Sequence, residues 1–206
     1  IKVNQENVEL KNTNVQLIQQ LTNSQVILEE NIRLKNLLNI KENKSLKPVF
    51  VNVIVREPTQ WYKLVIIDKG SNDGIEVDNS VISVLSNGQT CVFGRIVEVY
   101  SSTSKVALVT NPLFSLPVQI KDSNIDCVCD GYDNQYLKLS FIPQSAKLKL
   151  KDKIVTSPLS DVFDNCINVG TIIDIVKNNY GDYQEVIVEP YTQTQSIYEV
   201  AVLVKK

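Results

Sequence analysis

The 206-residue chain contains no histidine and no methionine. Without an imidazole, Ser-His-Asp and Cys-His hydrolases, histidine-ligated zinc and histidine acid–base catalysis are all excluded. No apolar run reaches about 18 residues, so no segment of the sequence is suited to span a bilayer as a helix. A net charge of −2 provides neither a global basic footprint for nucleic acid nor a polyacidic tail. The four cysteines (Cys91, Cys127, Cys129 and Cys166) include no C-x-x-C pair and, without histidine, form a weak metal set. Cys127 and Cys129 are two apart in an alternating segment and would share one face of a strand. No cofactor and no metal is expected.

Glycine, proline and aromatic residues are all absent before residue 48. A stretch without these breakers permits one long helix over residues 1–46. A heptad fits it. Val3, Leu10, Leu17, Ser24, Asn31 and Leu38 form one row, and Asn7, Asn14, Leu21, Leu28 and Lys35 form the other. This predicts a coiled coil dimerising through Val3, Leu10, Asn14, Leu17, Leu21, Leu28 and Leu38, with the asparagines favouring a parallel two-stranded register. The alternative is a single amphipathic helix packed on its own globular domain.

After Lys47-Pro48 the period changes to two. Val49, Val51, Val53 and Val55 alternate with other residues, as do Leu137, Leu139 and Phe141, and Val200, Val202 and Val204. Turn clusters such as Asn72-Asp73-Gly74, Asp130-Gly131 and Asn178 to Gly181 separate the runs. The pattern predicts a mainly β chain, with two small six-stranded β-barrels preceded by the coiled-coil helix. An internal echo supports the doubling. Residues 77–82 resemble 150–155, Gly94-Arg95-Ile96 resembles Gly170-Thr171-Ile172, and Val106 to Val109 parallels Val186 to Val188. The expected division is 1–46 coiled coil, 47–76 with 142–206 as the first barrel, and 77–141 as an inserted second barrel. Tandem units are the alternative.

Catalytic motifs are near misses. Ser102-Thr103-Ser104-Lys105 satisfies S-x-x-K but sits in a turn, without S-D-N or K-T-G partners. In Asp68 to Gly74, the calcium-loop alignment puts Lys69 where a carboxylate is required. The mechanical reading is that Gly70 and Gly74 adopt positive φ and Asp73 bonds its own turn. No phosphate-cradling glycine loop occurs. Lys147, Lys149, Lys151 and Lys153 would share one face of an extended segment, as edge protection or as a docking surface for an acidic partner. Trp61, the single tryptophan, reads as a barrel-end plug or a partner anchor.

The ordered set of features resembles the bacterial rod shape-determining protein MreC family. It runs from the coil through Glu57-Pro58-Thr59-Gln60-Trp61-Tyr62, then Val65 to Ile75, Gly94-Arg95-Ile96, Val106 to Asn111, Leu137 to Pro143, Lys153 to Ser157 and Val169-Gly170-Thr171-Ile172. Trp61, Asp68, Gly70, Asp73, Gly74, Gly94, Arg95 and Gly170 are the signature residues of this resemblance. The family usually carries Gly-Asp where Lys151-Asp152 stands here. The resemblance implies a non-catalytic scaffold of the cell-wall elongation machinery that maintains cell shape. It further implies a homodimer that can assemble further, with a class B penicillin-binding transpeptidase, MreD and the MreB system as partners. The resemblance also implies a single-pass membrane anchor upstream of this chain, with the bulk on the outer face of the cytoplasmic membrane (the periplasm in a Gram-negative cell). The rival readings are an export-system adaptor, which usually has a hairpin of two long helices, and a Ser-Lys hydrolase.

Overall fold

The computed structural model describes residues 10–23, 25–27, 46–56, 63–85, 88–133, 135–176, 182–192 and 196–205. The chain divides into a unit of residues 1–45 and a unit of residues 46–206. In the first unit, residues 10–23 and 25–27 are helical, as a breaker-free sequence allows. Val3, Leu28, Leu38 and Trp61 lie outside the described residues.

The second unit is built from twelve strands. They are β1 (Leu46–Arg56), β2 (Leu64–Ile67), β3 (Ser80–Val84), β4 (Thr90–Val99), β5 (Ser104–Leu108), β6 (Ser115–Ile120), β7 (Ile125–Tyr132), β8 (Tyr136–Pro143), β9 (Lys153–Thr156), β10 (Asn168–Val176), β11 (Tyr183–Pro190) and β12 (Glu199–Lys205). Their pairings close into two six-membered rings. The first runs β1-β2-β5-β4-β3-β12 and back to β1. The second runs β6-β7-β8-β11-β10-β9 and back to β6. A parallel contact between Asn168 of β10 and Cys91 of β4 joins them. Closure removes the sheet edges that would otherwise invite aggregation.

These pairings depart from the expected division. Residues 77–141 do not form one barrel. Instead β3, β4 and β5 close the first ring with β1, β2 and β12, and β6 to β11 form the second. Alternation marks a strand but not its partner, which is why the boundary was misplaced.

The internal echo is visible as geometry. The Asp78 amide donates to Ile96 O, and the Ile96 amide donates to Asn79 O; Lys151, Ile172 and Asp152 repeat both bonds. Asn79 and Asp152 each accept from a backbone amide three residues earlier, those of Glu76 and Lys149. Asp78 and Lys151 both adopt the left-handed region, at φ 67° and 73°. Each ring is bulged two residues past its glycine, between Ile96 and Glu98 and between Ile172 and Asp174.

One core cluster fills the first ring with Val51, Ile67, Val81, Phe93, Ile96 and Val202 among others. A second combines the interior of the other ring with outward residues of the first, including Ile82, Val92, Ala201 and Leu203. Strands β3, β4 and β12 are therefore buried on both faces.

Candidate docking surfaces

The described helix leaves its apolar side chains in solvent. Leu10, Leu17 and Leu21 are 60%, 51% and 65% exposed, and Val15, Ile18, Val26 and Ile27 are exposed as well. Leu10, Asn14, Leu17 and Leu21 recur at the alternating four-three spacing of a coiled-coil seam.

Asp68, Gly70, Asp73 and Gly74 gather in one turn after β2. The Asp68 carboxylate accepts from the Asn52 amide at 2.8 Å and from Asn52 Nδ2 at 2.7 Å. Burial alone would raise the Asp68 pKa; the Asn52 hydrogen bonds outweigh it and hold the carboxyl below its ordinary value. Gly70 is not at positive φ, contrary to expectation: its φ is −143°. It is required by proximity, because a Cβ there would stand 2.2 Å from Tyr100 O. Gly74 does sit in the left-handed region, at φ 81°. Asp73 Oδ2 accepts from the Gly70 amide, and the Ser104 hydroxyl donates to Lys69 O, so the turn is tied to the start of β5.

Gly94 and Gly170 occupy matching places in the two rings. A Cβ on Gly94 would lie 2.1 Å from Ala107 O, and one on Gly170 would lie 2.3 Å from Glu189 O. Arg95 lies where the rings meet. Its Nη1 is 3.6 Å from Asp78 Oδ1, and its guanidinium carbon sits 5.8 Å from the centre of the Phe114 ring. Asp68 and Asp73 thus bond backbone amides of the ring and its turn, and Gly70, Gly94 and Gly170 stand where another strand or loop passes too close for a Cβ.

The lysine row does not share one face. Residues 147–152 are not a strand: Lys149 to Asp152 form a closed turn, and Lys153 opens β9. Outward aromatics stand elsewhere, where Phe141 at φ 66° packs edge-on against Tyr183 at 6.0 Å, both exposed.

Lys105 and Ser157, two groups that a Ser-Lys hydrolase would draw on, are both engaged by carboxylates. Lys105 Nζ is held by Glu98 Oε2 at 2.8 Å, at the end of the S-x-x-K motif. The buried Ser157 hydroxyl donates to Asp126 at 2.7 Å and accepts from the Leu159 amide, which organises the loop that seats Phe163 against Phe114. Burial pushes the Cys91 thiol up to about 11 and the Cys127 thiol up to about 12, and raises that of Cys129 well above its ordinary value. All four cysteines are free, and only Cys166 is exposed. Among the described residues, no group of three or more potential ligands is placed to hold a metal, and no helix is long and apolar enough to cross a membrane. Sequence reasoning missed the Asn52–Asp68 clamp and the Ser157–Asp126 bond, because neither residue pair is close in sequence.

Residues 53–204 match the family model described as rod shape-determining protein MreC, barrel core. The cell shape-determining protein MreC of Listeria monocytogenes is 30% identical over 205 residues, covering 96% of this chain and 68% of that protein. The curated relatives are longer, and the chain spans between 46% and 68% of their lengths. A solved structure of the Listeria MreC superposes with a TM-score of 0.78 at 28% identity, covering 97% of this chain and 96% of that one. At 17% identity, a Helicobacter pylori MreC solved in complex with penicillin-binding protein PBP2 shares the fold, with a TM-score of 0.60 over 79% of this chain and all of that one. With its paired rings, matched glycines and ordered signature turn, the chain belongs to the rod shape-determining protein MreC family.

Proposed function

We propose that the chain is a non-catalytic scaffold of the cell-wall elongation machinery, which dimerises through its N-terminal helix and docks partner proteins on its two β-rings. The observation that carries this reading is the helix: leucines at coiled-coil spacing stand more than half exposed, a state that a second helix would relieve. Each leucine so buried is worth about 1.5–3 kcal/mol. Tethering several partners on one chain raises their local concentration without new chemistry.

The proposed partners are a class B penicillin-binding transpeptidase, MreD and the MreB system, with a second copy of the chain as the dimer mate. The PBP2 complex of the Helicobacter relative supports the first of these. The proposed location is the outer face of the cytoplasmic membrane, reached through an upstream anchor. The test is immobilised full chain against a soluble class B transpeptidase ectodomain. Saturable binding that survives Ser157→Ala and Ser102→Ala supports a scaffold. Absence of binding, or substrate turnover abolished by either substitution, would overturn it.

A further inference from the structure

The turn of residues 149–152 before β9 repeats the turn of residues 76–79 before β3. In each, the amide of the first residue donates to the side chain of the last, Glu76 to Asn79 and Lys149 to Asp152. In each, the third residue is left-handed, Asp78 at φ 67° and Lys151 at φ 73°. Each also offers an apolar second residue to solvent: Val77 is 54% exposed and Leu150 61%. Only the charge differs. Glu76 and Asp78 flank the tip in the first ring, whereas Lys149 and Lys151 flank it in the second. One backbone accepts either sign, so making the turn does not call for lysine. Lys151 even stands where glycine would be less strained.

The closed turn gathers cations around its apolar tip. Lys147, Lys149, Lys151 and Lys153 are all exposed. The Lys121 amide donates to Lys153 O at 2.9 Å, which brings a fifth exposed lysine beside them. Among the described residues none of the five is ion-paired, whereas Asp78 of the matching turn meets Arg95. Leu148 packs against the core, so one leucine anchors the segment and the next is presented. β6 and β8 run the same way, so the 121–124 turn and the 144–152 loop lie at one end of the second ring. Exposed Phe141 and Tyr183 stand toward that end, near the close of β8 and the opening of β11. The acids there are Asp122, Asp152, Asp174 and Asp182. Asp152 and Asp174 each accept from a backbone amide, and within 147–153 four lysines stand against one aspartate.

The chemistry narrows the occupant. Unpaired ammonium groups call for anions. The cluster holds no arginine, the residue that grips planar carboxylates in a fork and is enriched at protein interfaces, where lysine is depleted. Mobile point charges suit a diffuse anionic surface instead. An exposed leucine at the centre adds nothing toward a soluble phosphate, but it gains by entering the apolar boundary of a bilayer, with aromatic rings at headgroup depth. We infer that the Lys147–Lys153 turn, with Lys121 beside it and Leu150 at its tip, docks this end of the second ring on an anionic phospholipid surface. This goes beyond the scaffold reading, and rests on the proposed membrane location only for the bilayer it meets.

The test is co-sedimentation of the full chain with vesicles of equal parts phosphatidylcholine and phosphatidylglycerol, beside vesicles of phosphatidylcholine alone. Saturable binding to the anionic vesicles is expected, at least about tenfold tighter than to the neutral ones and lost as salt rises toward about 0.5 M. Lys149→Gln with Lys151→Gln should weaken it by about 25-fold, at about fivefold for each lysine. Leu150→Ser should weaken it by about tenfold and leave binding of soluble polyphosphate as it was. All three side chains are exposed, so the variants keep the fold, which circular dichroism checks. Equal binding to both vesicles, or none to either, would overturn the proposal. So would Leu150→Ser without effect on vesicles, which marks a polyanion site only, or displacement from vesicles by polyglutamate at charge equivalence, which marks an acidic protein. Binding abolished by Leu17→Asp but intact in the turn variants would assign it to the helix and overturn the proposal as well. Vesicles contain no transpeptidase and the turn variants leave the helix untouched, so failure here is separable from failure of the scaffold reading.

Discussion

Replacing Gly94 with alanine is expected to be far more damaging than its single added methyl suggests. The new Cβ would stand 2.1 Å from the Ala107 carbonyl oxygen and 2.9 Å from Val106 Cγ1. The carbonyl belongs to the backbone of β5, which pairs with β4 on one side and β2 on the other inside a closed ring. It cannot withdraw without disturbing both ladders. Overpacking of this kind costs about 1–3 kcal/mol or more. In a domain of this size each kcal/mol lowers Tm by about 2–4 °C, so a loss of roughly 2–12 °C is expected. Gly170→Ala should cost a similar amount, since its Cβ would lie 2.3 Å from Glu189 O in the second ring. Gly88→Ala is the control: its φ is +79° but nothing stands within 4 Å, so only the left-handed backbone penalty of about 1–2 kcal/mol applies. Urea titration followed by circular dichroism measures all three. If Gly94→Ala and Gly170→Ala were no worse than Gly88→Ala, close strand approach would not be why glycine stands there.

Three further outcomes follow from the same structure. Lys151→Gly should stabilise by about 0.5–1 kcal/mol in the same titration, because Lys151 is held at φ 73°, where L side chains are strained. Asp68 is depressed in the folded state, so the stability it adds is complete above its ordinary value of 3.8 and is lost as pH falls through the lower folded value. Asp68→Asn should therefore flatten that part of an acid-unfolding curve, modestly, as the carboxyl is mostly exposed. Iodoacetamide at pH 8 should modify Cys166 alone in the folded chain, read as one adduct by intact mass, because the other three thiols are buried with raised pKa values.

The strand content and the duplication could be read from the sequence because both leave local traces: period-two alternation, turn residues, and a glycine followed by a bulge at matching places. The partition into rings left no such trace. In β12, Val200, Val202 and Val204 fill the first ring while Ala201 and Leu203 pack outward against the second, so the strand is apolar on both faces. Alternation alone reported only one of those two contacts. The lysine row failed for a different reason: regular spacing suggested an extended face, but Lys151 at positive φ turns the chain back after Lys149.

Dimerisation through the helix is tested most directly by sedimentation equilibrium of the full chain beside Leu17→Asp. The expected result is a concentration-dependent dimer whose association weakens by roughly two to four orders of magnitude on substitution, since two buried leucines are lost per dimer. A monomer at high micromolar concentration, unchanged by Leu17→Asp, would contradict it.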